Sequence, residues 1–598
     1  MAHECGVVRV GRCSRWGVLG ALLSSTCLLA APAGASAYGE LTYEQCFGGA
    51  SGCISAGDGD LTDVVSVALS PDGGSLYATG KESISQFGAD PVGGRLSFKM
   101  CIGDDAGEAH FPSCVPDGSV AKPLDVPLSV VVDPNRGVYA TSFLGEDAVQ
   151  LFAGPDSLAY GGCVSADGSG GLCGNAGREA AVFFDPRDSV VSPDGNHLYV
   201  AVQGESLNPE QGGVLVFSVA EQGQIAFEGC ITTTGNNGGC GSTPGTHSLI
   251  ATSSVAVSPD GKWLYSVSNN GSVARFQIRD DGQLTYLECI GDASGCAPVP
   301  SPGALENSPR LAVSPDGRSL YATGESGAVS HIDLDAGGAL SWQGCLSAAP
   351  IEGCTRIAGL DTQALQMARG LAVSPDGRSV YVGSSSGISS FTIGAGGDLA
   401  FQSCLSAQPL VGCSTVGGAV ADILGLTVSP NGRSVYGGSL DGAVLHFIRS
   451  VSGEAGTTLI AGTGKGGLPA GLTVAAIRAS LLAQLAPSGK AAKRANVLRK
   501  KGYSYSFTAF TAGRLKIGWY YLPRGAHLSK AAKKKPKPVL VASGAVTFAH
   551  AGTKAIVVSL TRRGRSLLKH TGTLSAKASF KPTGAGAISA VKRFVLKR

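Results

Sequence analysis

The sequence predicts an all-β fold, a seven-bladed β-propeller followed by a small helix-plus-β-sandwich domain, and three observations predict it. A phrase of the Ser-Pro-Asp-Gly type recurs seven times with a period of 55 to 66 residues, and self-similarity on this scale signals a propeller or an array. The stretch Gly39–Cys53 supplies a strand that the seventh copy lacks. Charge then breaks near residue 450: residues 38–450 hold 17 Lys and Arg against 42 Asp and Glu, whereas 451–598 hold 27 against the single acid Glu454. A break of this size marks a domain boundary.

The chain of 598 residues has 88 Gly and 15% charged residues, long enough for two to four domains at roughly 150 residues each. Disorder is excluded by its apolar content, and collagen by the lack of a three-residue glycine period. The one apolar stretch near spanning length lies at the N-terminus. There Arg9, Arg12 and Arg15 precede the run Trp16–Ala31, and Pro32 leads into small residues up to Ala37. This is the order of a secretory signal peptide, residues 1–37, with cleavage after Ala37. Cys27 has no lipobox around it. The expectation is a secreted, extracellular protein with no transmembrane span in its mature chain.

Fourteen cysteines remain after Ala37, in seven close pairs: Cys46 with Cys53, Cys101 with Cys114, Cys163 with Cys173, Cys230 with Cys240, Cys289 with Cys296, Cys345 with Cys354, and Cys404 with Cys413. An exported chain with an even count in local pairs reads as disulfide-bonded. Spacings of 7 to 13 without histidine partners do not suit zinc, whose structural sites use tighter pairs.

The repeat prolines stand at 71, 134, 193, 259, 315, 375 and 430. Each copy begins with a short apolar strand such as Leu311–Val313. The turn follows, with Pro suited to its second position and Gly to its last. A second strand carries one tyrosine per copy: Tyr77, Tyr139, Tyr199, Tyr265, Tyr321, Tyr381 and Tyr436. An alternating third strand (Val273–Ile278) and a fourth (Leu284–Cys289) complete the unit. Four short strands per unit, seven times over, is the grammar of a seven-bladed propeller.

The seventh copy stops at its third strand, Val444–Ile448. Gly39–Cys53 matches Gly282–Cys296 at ten of fifteen positions, so the N-terminal strand is expected to complete the last blade. Closure of this kind removes two exposed strand edges.

The phrase Val313–Tyr321, V-S-P-D-G-R-S-L-Y, resembles the YVTN-type propeller repeat and the related lactonase-like seven-bladed propellers, over about residues 38–450. The resemblance implies the propeller fold. It also implies two kinds of role: surface propellers without catalysis, and enzymes of the 6-phosphogluconolactonase type that open sugar lactones. No G-H…W-D signature of WD40 repeats is present.

A ligand site is expected around the central channel, where the first strands converge. Five residues before each repeat proline stand Ser66, Ser129, Asp188, Ser254, Arg310, Gly370 and Gly425. Most are small, as a crowded axis requires. Arg187, Asp188, Arg310 and Arg369 stand out, and three arginines near one mouth would suit a carboxylate, phosphate or lactone oxyanion. The candidate catalytic residues are Asp188, Arg310 and Arg369, with Arg187 and Ser254 as ligand-binding residues. The plainer reading is that Asp188 pairs with an arginine to satisfy buried charge. A lactonase would need a general base, and Asp188 is the only candidate there. His197, His331 and His446 are expected away from the axis, and His110 and His247 in loops. No metal site and no cofactor is expected: the acidic clusters Asp58 with Asp60, and Asp104 with Asp105 and Glu108, lack calcium-loop spacing.

Past a linker at 451–471, the basic domain 472–598 begins with a helix capped by Thr473 and a second helix over Ser488–Lys501. Strands are expected at Tyr503–Thr508, Leu515–Leu522, Val539–Ala542, Ala555–Leu560, Leu574–Phe580 and Ile588–Leu596, a small immunoglobulin-like sandwich. This region is similar to C-terminal modules of secreted bacterial proteins. Its charge suits an anionic envelope polymer or polysaccharide, or the acidic propeller itself. Nucleic acid is not expected, since no aromatic interleaving accompanies the basic runs. The sequence thus favours a secreted, disulfide-stapled propeller that binds a small molecule or partner and associates with the cell envelope. A lactonase-like hydrolase at the channel mouth is the alternative.

Overall fold

The computed structural model describes residues 37–451 and 493–596, apart from short stretches of which the longest are 104–113, 117–123, 177–182, 205–211 and 524–536. Of 452–492 it describes only Leu481, Leu485 and Pro487. The signal segment before Ala37, the linker after Val451, His110, the acidic clusters at 58–60 and 104–108, the Thr473 cap and most of the Lys530–Lys537 run lie outside the described residues.

The described chain is all-β, with many small sheets and only short helices. Each of the seven repeats forms one sheet, its antiparallel strands in sequence order. In the fifth repeat these are Arg310–Val313, Ser319–Thr323, Ala328–Leu334 and Leu340–Ser347. The first strands touch one another in cyclic order, and Val67–Leu69 of the first repeat meets both Pro127–Val132 of the second and Ile423–Val428 of the seventh. The missing fourth strand of the seventh sheet is Leu41–Gly48, which pairs antiparallel with Ala443–Arg449, as the sequence match predicts.

All seven expected cysteine pairs are disulfides. Cys46 is bonded to Cys53, Cys101 to Cys114, Cys163 to Cys173 and Cys230 to Cys240. Cys289 is bonded to Cys296, Cys345 to Cys354 and Cys404 to Cys413. Each bond ties the fourth strand of a sheet to the loop that follows it, and the second cysteine leads into a structural partner that the sequence did not announce. In five repeats the two residues after Cys114, Cys173, Cys240, Cys354 and Cys413 pair in parallel with the two after the first cysteine, as Thr355–Arg356 does with Leu346–Ser347. Where the cysteines are 7 apart, at Cys46 with Cys53 and Cys289 with Cys296, the extra strand shrinks to one bridge, Phe47 to Ile54 and Ile290 to Ala297. The longer loops have enough chain for a two-residue strand; the shorter ones do not.

The repeated phrase works as a hydrogen-bonded unit. In the fifth repeat the Ser314 hydroxyl donates to Asp316 at 2.6 Å, Asp316 accepts from the Arg318 N–H at 3.2 Å, and Ser314 Oγ accepts from the Ser319 N–H at 2.9 Å. The same bonds recur at Ser70, Ser192, Ser258, Ser374 and, with asparagine in place of aspartate, Ser429. Side-chain capture of backbone N–H groups explains why these residue types hold the turn.

The repeat tyrosines are fully buried, and six of them tie each sheet to the next. Tyr139 donates to the Gly223 carbonyl at 3.0 Å, Tyr199 to Gly282 at 3.0 Å, Tyr265 to Gly338 at 3.0 Å and Tyr321 to Gly397 at 2.8 Å. Tyr381 donates to Gly39 at 2.8 Å and Tyr436 to Gly94 of the first repeat at 2.7 Å. A Cβ on Gly282, whose φ is +80°, would come within 2.1 Å of the His197 ring, so the close approach needs glycine.

At the seam, Arg449 is buried among Asp376, Tyr381, Ser379 and the Gly432 carbonyl, and the Tyr38 ring lies 5.1 Å from its guanidinium carbon. Equivalent positions in the fifth and sixth repeats hold Leu334 and Ile393.

All six strands expected in the basic segment are present, from Gly502–Ala509 to Ile588–Val595. They belong to one sheet rather than two. That sheet is divided by a short junction: Val539–Phe548 pairs with Gly552–Leu560 only through Ala542 and Ser543. Phe507, Ile556 and Val558 from one leaf still share an apolar cluster with Leu515, Trp519 and Phe580 from the other. Leu481, Leu485 and Val497 join that cluster. The second expected helix is described over Arg494–Arg499, and a further helix, Arg562–Leu567, is capped by the Thr561 hydroxyl.

Candidate functional site

Antiparallel alternation puts the starts of the first strands, the ends of the fourth strands and all seven disulfides at one end of the sheets. Eight residues before each repeat proline the backbone is left-handed: Asp63, Val126, Asp185, Ala251, Asn307, Met367 and Asp422 have φ between +45° and +56°. Non-glycine residues rarely adopt this conformation, and here it recurs in all seven repeats. These residues turn the chain into the first strand and bond to the loops ten residues after the prolines. Asn269 N–H donates to the Ala251 carbonyl, Asn307 to Asn269, Glu325 to Asn307 and Met367 to Glu325, at 2.9 to 3.3 Å. Similar links join Val126 to Lys81, Gln203 to Asp185 and Asp422 to Ser385. The rim of the mouth is therefore a girdle of backbone hydrogen bonds, and its side chains are the candidates for ligand contact.

Asp188 and Ser254, from the third and fourth repeats, are in contact: the Ser254 hydroxyl donates to Asp188 Oδ2 at 2.5 Å, and the Val255 N–H reaches the same oxygen at 3.4 Å. Ser254 Oγ accepts in turn from the Leu311 N–H at 3.2 Å. Ser66 accepts from Val130 N–H in the same way, and Ser129 and Ser189 share a hydrogen bond at 2.9 Å. Ser66, Ser254 and the Asp188 carboxylate thus satisfy N–H groups of the adjacent first strand. Where no side chain is present the strands close up further: a Cβ on Gly425 would lie 2.8 Å from Ser66 Cα.

Two of the three arginines are engaged by acids. No arginine is among the described partners of Asp188, so the paired-charge reading applies to other carboxylates. Arg187 forms an ion pair with Asp185 and lies 4.7 Å over the Phe143 ring. Arg369 Nε donates to Glu325 at 2.8 Å. Burial raises the Asp185 carboxyl above its ordinary range against the lowering effect of Arg187. Burial and the neighbouring Asp441 likewise raise Asp422, with Arg369 opposing. Arg187 Nε and Asp185 Oδ1 are buried atoms without a protein hydrogen-bond partner. Arg310 opens the first strand of the fifth repeat and stands across from Thr323. The structure thus joins Asp188 to Ser254, and it places Arg187 and Arg369 each beside its own acid. Sequence reasoning missed Asp185, Glu325, Asp422 and Phe143. Their signal was positional: each lies eight residues before, or nine to ten after, a repeat proline.

His247 stands in the loop before Ala251, where its carbonyl accepts from Asn270; the strand histidines lie elsewhere. His331 and His446 are in third strands, stacked on Tyr321 and Tyr436, and burial lowers both, His446 to about 4. Clefts of about 460 and 620 Å³ lie at the opposite end, between successive Ser-Pro-Asp-Gly turns. They are lined by turn residues such as Asp316 and Arg318 and are separate from the mouth. Among the described residues no three His, Cys, Asp or Glu side chains converge as a metal site would require, and no helix is long and apolar enough to cross a membrane.

The solved structures to which this chain is similar include lactonase-like propeller proteins. A periplasmic gluconolactonase from Pseudomonas aeruginosa is 17% identical, with a TM-score of 0.39, over 59% of this chain and 86% of that one. A Bacteroides uniformis protein described as a candidate 6-phosphogluconolactonase is 15% identical, with a TM-score of 0.38, over 58% and 85%. Hydrazine synthase from Kuenenia stuttgartiensis is 16% identical, with a TM-score of 0.42, over 68% and 100%. No protein-family model and no curated protein matches the chain.

Proposed function

We propose that the protein is a secreted, seven-bladed β-propeller that binds a small polar anion at the mouth of its central channel, and that residues 472–598 hold it at an anionic cell envelope. What supports the binding site is that Arg187, Arg310 and Arg369 each follow a left-handed residue of the girdle by two or three positions, and that Arg187 Nε is buried with no hydrogen-bond partner among the described residues. A carboxylate or phosphate would supply that acceptor. The seven disulfides support an oxidising compartment.

A lactonase with Asp188 as base and Arg310 and Arg369 polarising the carbonyl is the second reading. Asp188 is already committed to Ser254 and Val255, and Arg369 to Glu325, which favours binding over turnover. The test is a pH-stat assay of sugar lactones beside calorimetry with the matching sugar acids, on the mature chain and on Arg310→Ala. Binding heat without acid release supports the first reading. Acid release that disappears in Arg310→Ala with an unchanged melting temperature would install the second.

A further inference from the structure

We infer that the outward face of the C-terminal sheet is the surface that takes a linear anionic polysaccharide, an inference that rests on reading this domain as the envelope anchor. In the strand Gly513–Tyr521, Leu515, Ile517 and Trp519 are buried while Arg514 and Lys516 are exposed. Residues directly paired across strands share a face. Arg514 stands opposite Lys581 and Gly518 opposite Lys577, and Arg593 is opposite Ser575. Five cations thus share the face turned away from the apolar cluster.

Nothing within the domain neutralises them, because residues 455–598 contain no Asp or Glu. Like charges directly opposite on neighbouring strands destabilise a sheet, so Arg514 and Lys581 work against folding. Edge protection does not account for them, since both of their strands are internal to the sheet. An external polyanion does, by converting the repulsion into attraction.

The rest of the face selects among polyanions. Thr547 stands opposite Arg514, and Ser589 opposite Ser579. These short hydroxyls suit the hydroxyl-rich backbone of a glycan. Base recognition needs aromatic platforms, and Tyr520 alone stands on this face. Its exposed apolar side chains include Val591 and Val595 on the edge strand and Leu540 opposite Tyr520, set beside five cations, which is little for insertion into lipid.

The test measures retention of the full mature chain on immobilised polygalacturonate against neutral dextran, across a salt series. One variant removes face charge, combining Arg514→Ser, Lys516→Ser, Lys581→Ser and Arg593→Ser. A second removes equal charge from the nearby helix and its flank, combining Arg562→Ser, Arg563→Ser, Arg565→Ser and Lys569→Ser. The face variant should bind about tenfold more weakly or worse, with its log–log salt slope smaller by about one per cation removed. The helix variant should stay near wild type. A melting temperature of the face variant at or above wild type shows that it folds and that the repulsion was real. Equal losses in both variants would overturn the assignment to this face. Tighter binding to duplex DNA or to anionic vesicles than to polygalacturonate would overturn the glycan. Wild-type protein that ignores every polyanion would instead refute the anchor reading itself.

Discussion

Arg449 and Asp376 form a bidentate ion pair across the seam of the ring, Nη1 to Oδ2 at 2.8 Å and Nη2 to Oδ1 at 3.1 Å, with the Arg449 side chain fully buried and Asp376 nearly so. The Tyr38 hydroxyl adds a third donor to Asp376 at 2.5 Å. One arginine therefore connects the third strand of the last sheet, the turn of the sixth and the N-terminal strand.

Removing one partner leaves a buried charge uncompensated, which typically costs about 3–5 kcal/mol. Arg449→Leu is expected to lower the unfolding free energy in urea by that much. The double variant, Arg449→Leu with Asp376→Asn, should recover most of it, because Leu334 fills the equivalent place in the fifth repeat and Asn431 serves the same turn in the seventh. A single variant as stable as wild type would mean the pair contributes nothing.

Acid should weaken the fold in two separate windows. His446 is buried and its pKa is lowered to about 4, whereas in the unfolded chain it titrates near its ordinary value of about 6.5. The unfolded state therefore binds the extra proton between those values, and stability falls as pH drops through them, by on the order of 3 kcal/mol. Burial alone would raise Asp376, but hydrogen bonds and charge from Arg449, with the Ser374 and Tyr38 hydroxyls, hold it below the usual carboxylate range. Its contribution is present above about pH 4 and is lost as pH falls through its folded value. His446→Gln, which copies Gln86 of the first repeat, should shrink the upper window, to which buried His331 also contributes, and leave the lower one. Denaturation midpoints at several pH values separate the two.

Much of the ring was legible because its signals are periodic. The proline spacing set the number of sheets, and the match of Gly39–Cys53 to Gly282–Cys296 identified the closing strand. The seam was not legible: Arg449 and Asp376 are 73 residues apart, and nothing local in either segment names the other. The mouth was half legible. Counting from the prolines singled out Arg187, Asp188, Arg310 and Arg369 at the starts of the first strands. The left-handed residues escaped because Asp, Val, Ala, Asn and Met all occupy that slot, so the conformation is imposed by the inter-sheet bonds and not by residue type. The cysteine spacing gave every disulfide, yet it did not show the parallel strands that follow Cys114, Cys173, Cys240, Cys354 and Cys413, because two residues are too few to carry a strand pattern. In the basic segment, alternation found every strand but could not show that two leaves remain one sheet.

The tyrosine ties should differ in strength along the ring. Tyr199→Phe loses one neutral hydrogen bond, worth about 1 kcal/mol. Tyr381→Phe also removes the acceptor of Arg449 Nε, at 2.6 Å, and should cost clearly more. Equal losses in chemical denaturation would show that the Arg449 contact is energetically idle.

Each cysteine pair closes a loop of 7 to 13 residues, worth about 2–3 kcal/mol in the chain-entropy model. Replacing one pair, Cys345→Ser with Cys354→Ser, should lower stability by about that amount. Replacing Cys46→Ser with Cys53→Ser should do more, since it frees the strand on which closure depends. Thermal melting of both variants, with wild type in reductant as reference, ranks them.

The closing strand Leu41–Gly48 is made before the rest of its sheet, and its partner Ala443–Arg449 follows some 400 residues later, while long-range pairings form slowly. Until then both edges that it will join are open to other chains. The bond between Cys46 and Cys53 needs nothing downstream, so it can shape the early segment while the rest is still being made. Slow, aggregation-exposed ripening is thus written into a ring whose first piece is also its last.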